Sequence, residues 1–289
     1  MRRSICLCLA VLLLACALSA QASELKLTGV PAEFQYLKLL DNGYVGIAYQ
    51  EELRMIGYDG QELLSVPLSV LQEGDHAYSG IPACCEDGEG GLFVLFTYDV
   101  RQDEPLMHLY HISAAGDVLW SAMFQQTTVW GWNHLARDGQ GGVYLTHSSW
   151  DNYKESMIRH FSADGTILWK KLLQADGLVF GPYVARPAED GGFLLYGTAV
   201  SKSKGVYKAL EMHIGPDGDI QQSIARDFSL RPDYSAFLKW EPTDGQIHFV
   251  SRANYPETQG TERVEFLLAD LKECPLPKIT LTDADSTAH

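Results

Sequence analysis

A turn followed by an apolar run recurs about every 50 residues, and this repeat limits the possible folds of the 289-residue chain more than any other feature. Each turn is rich in aspartate and glycine, as in DGEGG at 87–91 and DGQGG at 138–142. The last glycine of the turn falls at positions 43, 91, 142, 192 and 245. Five copies at near-constant spacing predict a repeat architecture rather than one irregular core.

A second glycine turn lies between successive copies of the first, at residues 60, 116, 165 and 218. The clearest examples are LYHISAAGDVLW (109–120) and IRHFSADGTILW (158–169). Asp-Gly and Gly-Gly turns favour tight β-hairpins, because glycine adopts positive φ without strain. We therefore expect positive φ at Gly142 and Gly165. Each unit is predicted to contain two hairpins, with its first strand at 34–40, 79–86, 130–137, 181–187 and 234–241.

Small sheets of four antiparallel strands cannot each bury a face alone. Radial stacking covers both faces of every sheet and protects the sheet edges. The predicted fold is therefore all-β, a β-propeller with five blades of four antiparallel strands. Either 25–30 or 277–282 is expected to complete the last sheet. The alternative, a two-sheet sandwich, does not explain the regular spacing.

The second copy, DGEGGLFVLFTYDVRQDEPLMHLYHISAAGDVLW (87–120), resembles the repeats of bacterial secreted β-propeller proteins. Asp99 and Arg101 match the D-x-R loop of those repeats, and Trp120 matches their closing tryptophan. The end of the unit is also similar to quinoprotein-type repeats, in which this tryptophan docks on the next blade. Trp120 and Trp169 keep it, whereas other residues stand at that offset elsewhere: Leu64 and Gln222. The resemblance implies a fold and no particular activity.

The N-terminus predicts export. Arg2 and Arg3 precede an uncharged apolar stretch at 5–17, and Ala20-Gln21-Ala22 has the A-x-A pattern of a cleavage site. Residues 1–22 are thus a predicted signal peptide of a secreted or periplasmic protein. Alternatively, Leu13-Leu14-Ala15-Cys16 is a lipobox, and lipidation of Cys16 would make a membrane-anchored lipoprotein. No later stretch approaches 18 apolar residues, so no membrane span is predicted. The propeller domain is expected at 23–281, and a disordered polar tail at 282–289.

Charge and cysteine content limit which partners the protein is expected to bind and which cysteine chemistry it is expected to perform. The chain has 22 basic and 37 acidic residues, a balance that repels phosphate backbones and argues against nucleic-acid binding. Three cysteines lie beyond the predicted signal peptide: Cys84, Cys85 and Cys274. They allow at most one disulfide. Adjacent cysteines lack the two-residue spacing of common redox and zinc motifs, so a structural role is expected for Cys84 and Cys85.

The loops opposite the uniform glycine turns vary in length, and variable loops on a rigid scaffold commonly carry recognition. The third unit concentrates aromatic residues in these loops. Flat aromatic rings beside a carboxylate suit sugar rings, cations or peptide backbones. The predicted ligand-binding residues are Trp130, Trp132, Trp150, Asp151 and Tyr153. Alternatively, Trp130 and Trp132 fill the channel or pack between blades.

No catalytic or cofactor signature is evident. Glu86, Glu189 and Glu241 lie at the ends of first strands, the histidines look scattered, and no G-x-S-x-G motif occurs. We therefore predict a non-enzymatic binding or scaffolding module for a protein, peptide or glycan, without a cofactor, metal site or catalytic residue. The alternative is a carbohydrate-active enzyme of the five-bladed glycosidase type, or a carbohydrate-binding propeller.

Overall fold

Strands make up most of the described chain in the computed structural model of the protein. The described residues are 34–49, 51–71, 78–98, 106–125, 131–149, 155–175, 179–201, 206–228, 234–241, 244–255 and 260–284. Their strands form five small antiparallel sheets, which are the blades of a five-bladed β-propeller. The predicted fold class is confirmed, and the innermost strands begin and end within two residues of the predicted positions.

Each blade is built from strands that pair in chain order. Blade 1 contains β1 (Phe34–Leu39), β2 (Gly43–Ala48), β3 (Glu52–Gly57) and β4 (Glu62–Pro67). Blade 2 contains β5 (Tyr78–Glu86), β6 (Leu92–Tyr98), β7 (Leu106–Ile112) and β8 (Val118–Gln125). Blade 3 contains β9 (Gly131–Arg137), β10 (Val143–Ser149), β11 (Glu155–Phe161) and β12 (Ile167–Ala175).

The last two blades continue the pattern. Blade 4 contains β13 (Val179–Pro187), β14 (Phe193–Ser201), β15 (Val206–Ile214) and β16 (Ile220–Phe228). Blade 5 has three described strands, β17 (Tyr234–Glu241), β18 (Gln246–Tyr255) and β19 (Gly260–Leu267). A one-turn helix, α1 (Leu68–Leu71), follows blade 1, and a 3-10 helix (Leu268–Asp270) follows blade 5. Neither of these described helices is long enough to cross a membrane.

The C-terminal segment adds outer strands to two earlier blades. The short β20 (Glu273–Cys274) pairs with β16 of blade 4, and β21 (Ile279–Asp283) pairs with β12 of blade 3. The expectation that 277–282 completes the last sheet is therefore wrong, because this segment extends blade 3 instead. The other candidate, 25–30, lies outside the described residues. The described residues extend to 284, and β21 ends at Asp283.

The glycine turns follow the prediction at one tested position and differ at the other. Gly165 has φ of +83°. Gly142 does not have positive φ; the left-handed glycines of its turn are Gly139 and Gly141. Gly142 is needed for a different reason, because a Cβ there would lie 2.3 Å from the carbonyl oxygen of Phe161. Close approach of two strands, rather than backbone conformation, selects glycine at that position.

Tryptophans dock blade 2 on blade 3 and blade 3 on blade 4, as the resemblance implied. A Cβ on Gly165 of blade 3 would lie 2.8 Å from the ring of Trp120 in blade 2. Trp169 of blade 3 donates its indole N–H to the Pro216 carbonyl of blade 4, at 2.8 Å. Apolar clusters fill the spaces between successive blades along the described ring. This packing fixes the five innermost strands around a central channel.

Candidate functional site

The central channel contains a cavity of about 450 Å³. Its wall is formed by one short stretch from the innermost strand of every blade, namely 37–41, 82–86, 133–137, 183–187 and 238–240. These stretches end where the chain enters the first glycine turn of each blade. The cavity therefore lies toward the face that carries the uniform turns, and all five blades contribute residues to its wall.

The charge of the cavity wall differs in sign from that of the whole protein. Four basic residues line it, Lys38, Arg137, Arg186 and Lys239, against two acidic ones, Asp41 and Glu86. The complete chain carries a formal net charge of −15. Basic residues are therefore concentrated in the cavity of an otherwise acidic protein.

Two of the four cations are held by carboxylates. The Arg186 guanidinium donates Nη1–H to Asp41 Oδ1 at 2.6 Å and Nη2–H to Asp41 Oδ2 at 2.9 Å. Its Cζ also lies 4.0 Å from the ring centre of Trp240. The Lys239 ammonium contacts Glu241 at 3.0 Å and Glu265 at 2.8 Å. Arg186 and Asp41 join blade 4 to blade 1, so this pair has a structural role.

The second acidic residue of the wall, Glu86, is also hydrogen-bonded to a neighbouring residue. Glu86 accepts two hydrogen bonds from Asn42, at 2.9 Å from the backbone N–H and at 2.6 Å from the side-chain amide. Both acidic residues of the wall are thus engaged by neighbouring groups of the chain. Glu241 lies at the end of β17, as expected, and Glu189 is exposed in a turn. The described carboxylates do not form a free acid and base pair across the channel.

The remaining two cations, Lys38 and Arg137, make no hydrogen bond or ion pair within the described part of the chain. Lys38 lies near the end of β1, and Arg137 ends β9. The Arg137 guanidinium packs against the turn of blade 2, where a Cβ on Gly88 would lie 2.5 Å from Nη1. Lys38 and Arg137 both line the cavity, and their side-chain donors are unused among the described residues.

The other polar groups of the wall are neutral. His134 donates Nε2–H to the Pro182 carbonyl at 3.2 Å. Burial, with a smaller contribution from the positive charge of Lys38, lowers the pKa of His134 to about 4. Burial raises the pKa of the Cys84 thiol to about 12, and it also raises the pKa of Cys85. Both thiols are therefore protonated at neutral pH and are poor nucleophiles.

Cys84, Cys85 and Cys274 are free thiols in the structure. Because none of these three described cysteines forms a disulfide, the described core is held together by side-chain packing. Among the described residues, no group of three histidine, cysteine, aspartate or glutamate side chains could hold a metal ion.

A second set of polar contacts, between a histidine and a turn aspartate, repeats from blade to blade. These contacts were not predicted from the sequence. The turn aspartate accepts a hydrogen bond from a histidine in blades 2, 3 and 4: His111 to Asp87, His160 to Asp138 and His213 to Asp190, at 3.2, 3.0 and 3.0 Å. The spacing of these histidines, 49 and 53 residues, equals that of Gly116, Gly165 and Gly218. This periodicity was the available signal that the histidines are structural rather than scattered.

The buried pair in blade 3 shows how these contacts act. Burial raises the pKa of the Asp138 carboxyl, but hydrogen bonds from His160 and from the Gln140 and Gly142 amides outweigh burial and lower it. The imidazole of His160 also stacks on Tyr144, with ring centres 4.1 Å apart. The histidine thus ties the third strand to the first turn inside each of these blades.

The predicted aromatic binding residues lie mostly beyond the described part. Trp130, Trp150, Asp151 and Tyr153 are outside the described residues, and of Trp132 only its place in β9 is described. Their role as a ligand-binding cluster stays a prediction.

Comparisons with known proteins identify no family. No protein-family model and no curated protein matches the chain. Among solved structures, a Pseudomonas brassicacearum lignostilbene dioxygenase is 8% identical with a TM-score of 0.42, over 89% of this chain and 76% of that one. A subtype N10 neuraminidase-like protein of A/little yellow-shouldered bat/Guatemala/060/2010 is 12% identical with a TM-score of 0.43, over 81% and 82%.

An ACO/RPE65 chimera is 9% identical with a TM-score of 0.40, and the match covers 80% of this chain. The chain spans only 59% of the length of that chimera. Since all three TM-scores lie below 0.5, these likenesses carry no conclusion about activity, substrate or cofactor.

Proposed function

We propose that this protein is an exported, non-enzymatic propeller that binds a ligand. The observation that carries the proposal is the central cavity, in which both acidic side chains of the wall are engaged by neighbouring residues. A glycosidase needs one carboxyl group free to donate a proton and a second free to act as base or nucleophile. A binding site needs only a shaped space and a few unused polar groups.

The partner is proposed to be a protein, a peptide or a glycan. The loops of the third unit, which are expected on the face opposite the glycine turns and the cavity, would contact this partner through Trp132, Trp150 and Asp151. Aromatic anchors on a rigid scaffold supply much of the binding free energy at a recognition surface. A lipid anchor at Cys16 would hold the propeller at a membrane, whereas cleavage near Ser23 would release it.

Ligand capture tests the proposal against the enzyme alternative. We expect the purified protein to retain a glycan, peptide or protein on array and pull-down screening, and to leave aryl glycosides uncleaved. Trp150→Ala and Trp132→Ala should weaken that capture by about thirtyfold with little change in melting temperature. Loss of stability without loss of capture would place both tryptophans in the core. Turnover of an aryl glycoside, abolished by Glu86→Gln, would contradict a purely binding role.

Export has its own test. Mass spectrometry of the protein from its native host should show a mature N-terminus near Ser23. A diacylated Cys16 at the N-terminus would support the lipoprotein alternative, and an intact Met1 would refute export.

A further inference from the structure

We propose that the central cavity binds a small organic anion, a carboxylate or a phosphate monoester with an apolar body, through Lys38 and Arg137. This inference goes beyond the proposed function, because it assigns the cavity a small ligand in addition to the protein, peptide or glycan partner. It depends on where the two cations lie, on what surrounds them and on what the cavity wall leaves unsatisfied.

The two cations are close to the same level of the channel. The Leu40 amide bonds to the Gly43 carbonyl and the Asp138 amide to the Gly142 carbonyl, so Leu40 and Asp138 are equivalent positions of blades 1 and 3. Lys38 lies two residues before this position, and Arg137 one residue before it. The offset of one residue corresponds to about 3.3 Å along a strand. Lys38 and Arg137 therefore line the same cavity at nearly the same depth of the channel.

Neither cation forms an ion pair within the described part of the chain. Lys38 lies near Cys84 and His134, and Arg137 lies near Cys85. These thiols and this imidazole are neutral at pH 7. The two carboxylates of the wall bond elsewhere, Asp41 to Arg186 and Glu86 to the neutral amide of Asn42. Among the described residues of the wall, two unpaired cations therefore stand against one carboxylate without a cationic partner, and this excess of positive charge favours an anionic ligand.

The donor chemistry selects an oxyanion. A guanidinium presents paired N–H groups that match two oxygens of a carboxylate or phosphate, and an ammonium adds a point charge with three donors. The rest of the wall is largely apolar, with Leu39, Leu135, Val184 and Leu238 among its residues. A cavity of about 450 Å³ is within the usual size of small-molecule sites. The expected ligand therefore combines one anionic group with a compact apolar body.

Calorimetry with size-matched probes tests the assignment. The probes are 3-phenylpropionate, phenyl phosphate and the neutral 3-phenylpropionamide, titrated into the purified protein. We expect at least one anion to bind at least about tenfold more tightly than the amide, because charge-assisted hydrogen bonds are lost in the amide. The relative affinity of the two anions distinguishes a carboxylate site from a phosphate site.

Substitutions locate the binding. Lys38→Met and Arg137→Met should each weaken anion binding by about tenfold or more. Lys38→Arg should restore most of the affinity, and Lys272→Met, which removes an exposed cation outside the cavity, should leave it unchanged. Melting temperatures of all variants establish that they are folded. A second pair, Lys38→Gln and Arg137→Gln, replaces any methionine variant that fails to fold.

Two results would overturn the inference without touching the proposed function. One is equal binding of anions and amide, unaffected by both substitutions, and the other is no saturable binding of any probe. In either case, partner capture by the Lys38→Met/Arg137→Met protein would still support the binding role. Failure of the proposed function would show differently, as aryl glycoside turnover.

Discussion

The His–Asp pairs inside the blades and the cations of the central channel differ in how their charged groups are partnered. Inside blades 2 and 3, His111 and His160 each donate to a turn aspartate and stack on an aromatic ring. In the channel, Lys38 and Arg137 have no such partner among the described residues. Groups that hold a fold together are normally paired, because an unpaired buried polar group is costly. We therefore assign the His–Asp pairs to stability, and the contrast supports the proposal that the two channel cations serve binding.

Removing Trp120, which joins blade 2 to blade 3, should have the largest effect on stability. Trp120 packs against Phe93, His111 and Phe161, and its ring covers Gly165 of the next blade. We expect Trp120→Ala to lower the free energy of unfolding by about 3 kcal/mol, the low end for aromatic truncations because the ring is only partly buried. Urea unfolding measures this change.

The neighbouring Leu119 is the matched control, since it lies on the same strand and is 57% exposed. Leu119→Ala should change stability by less than about 0.5 kcal/mol. Equal losses for the two variants would mean that the tryptophan does not act as a joint.

Acid should weaken the protein through His147. Burial, with a smaller contribution from the charge of Arg159, lowers the pKa of this histidine to about 3. The folded pKa lies below the unfolded value of about 6.5, so the unfolded chain takes up the proton first. Stability contributed by neutral His147 is complete above pH 6.5 and is lost as pH falls below it.

The expected loss between pH 6.5 and 4.5 is on the order of 2 kcal/mol. His147→Asn can keep the donation to Asn133 Oδ1, which the histidine makes at 2.9 Å, without a titrating ring. Urea unfolding at several pH values should show a flatter dependence for this variant. An unchanged slope would assign the acid sensitivity to other groups.

Substitutions at two glycines with positive φ distinguish the cost of backbone strain from the cost of disturbing the contact between blades 2 and 3. Gly139 and Gly165 have φ of +77° and +83°, but a Cβ on Gly139 meets nothing within 4 Å, whereas one on Gly165 meets the Trp120 ring. Gly139→Ala should cost about 1 kcal/mol from its conformation alone. Gly165→Ala should cost at least about 1 kcal/mol more, because the tryptophan must move. Equal melting temperatures for the two variants would contradict the docking described for blades 2 and 3.

Most of the fold was accessible from the sequence, because the turn glycines and apolar strands repeat with a constant period. The blade to which the C-terminal segment adds a strand could not be predicted. A short strand such as β21 can extend any exposed blade edge, and its sequence does not specify which one. The His–Asp pairs were accessible in principle, because they share the period of the hairpin glycines.

The cavity was not accessible, because its wall takes a few residues from each of five strands that are distant in the chain. Lys38 and Arg137 belong to no motif, and their lack of ion-pair partners among the described residues is a property of the assembled ring. The Trp130 to Tyr153 cluster rests on loop composition alone and stays a prediction.

The most direct test of this division of roles is the free energy of unfolding of the Lys38→Met/Arg137→Met protein. If the two cations serve binding and not folding, removing both should leave stability unchanged or raise it by up to about 1 kcal/mol in urea unfolding without ligand. A loss of 2 kcal/mol or more, comparable to the loss expected for Trp120→Ala, would show that the channel cations hold the ring together. That result would contradict the account.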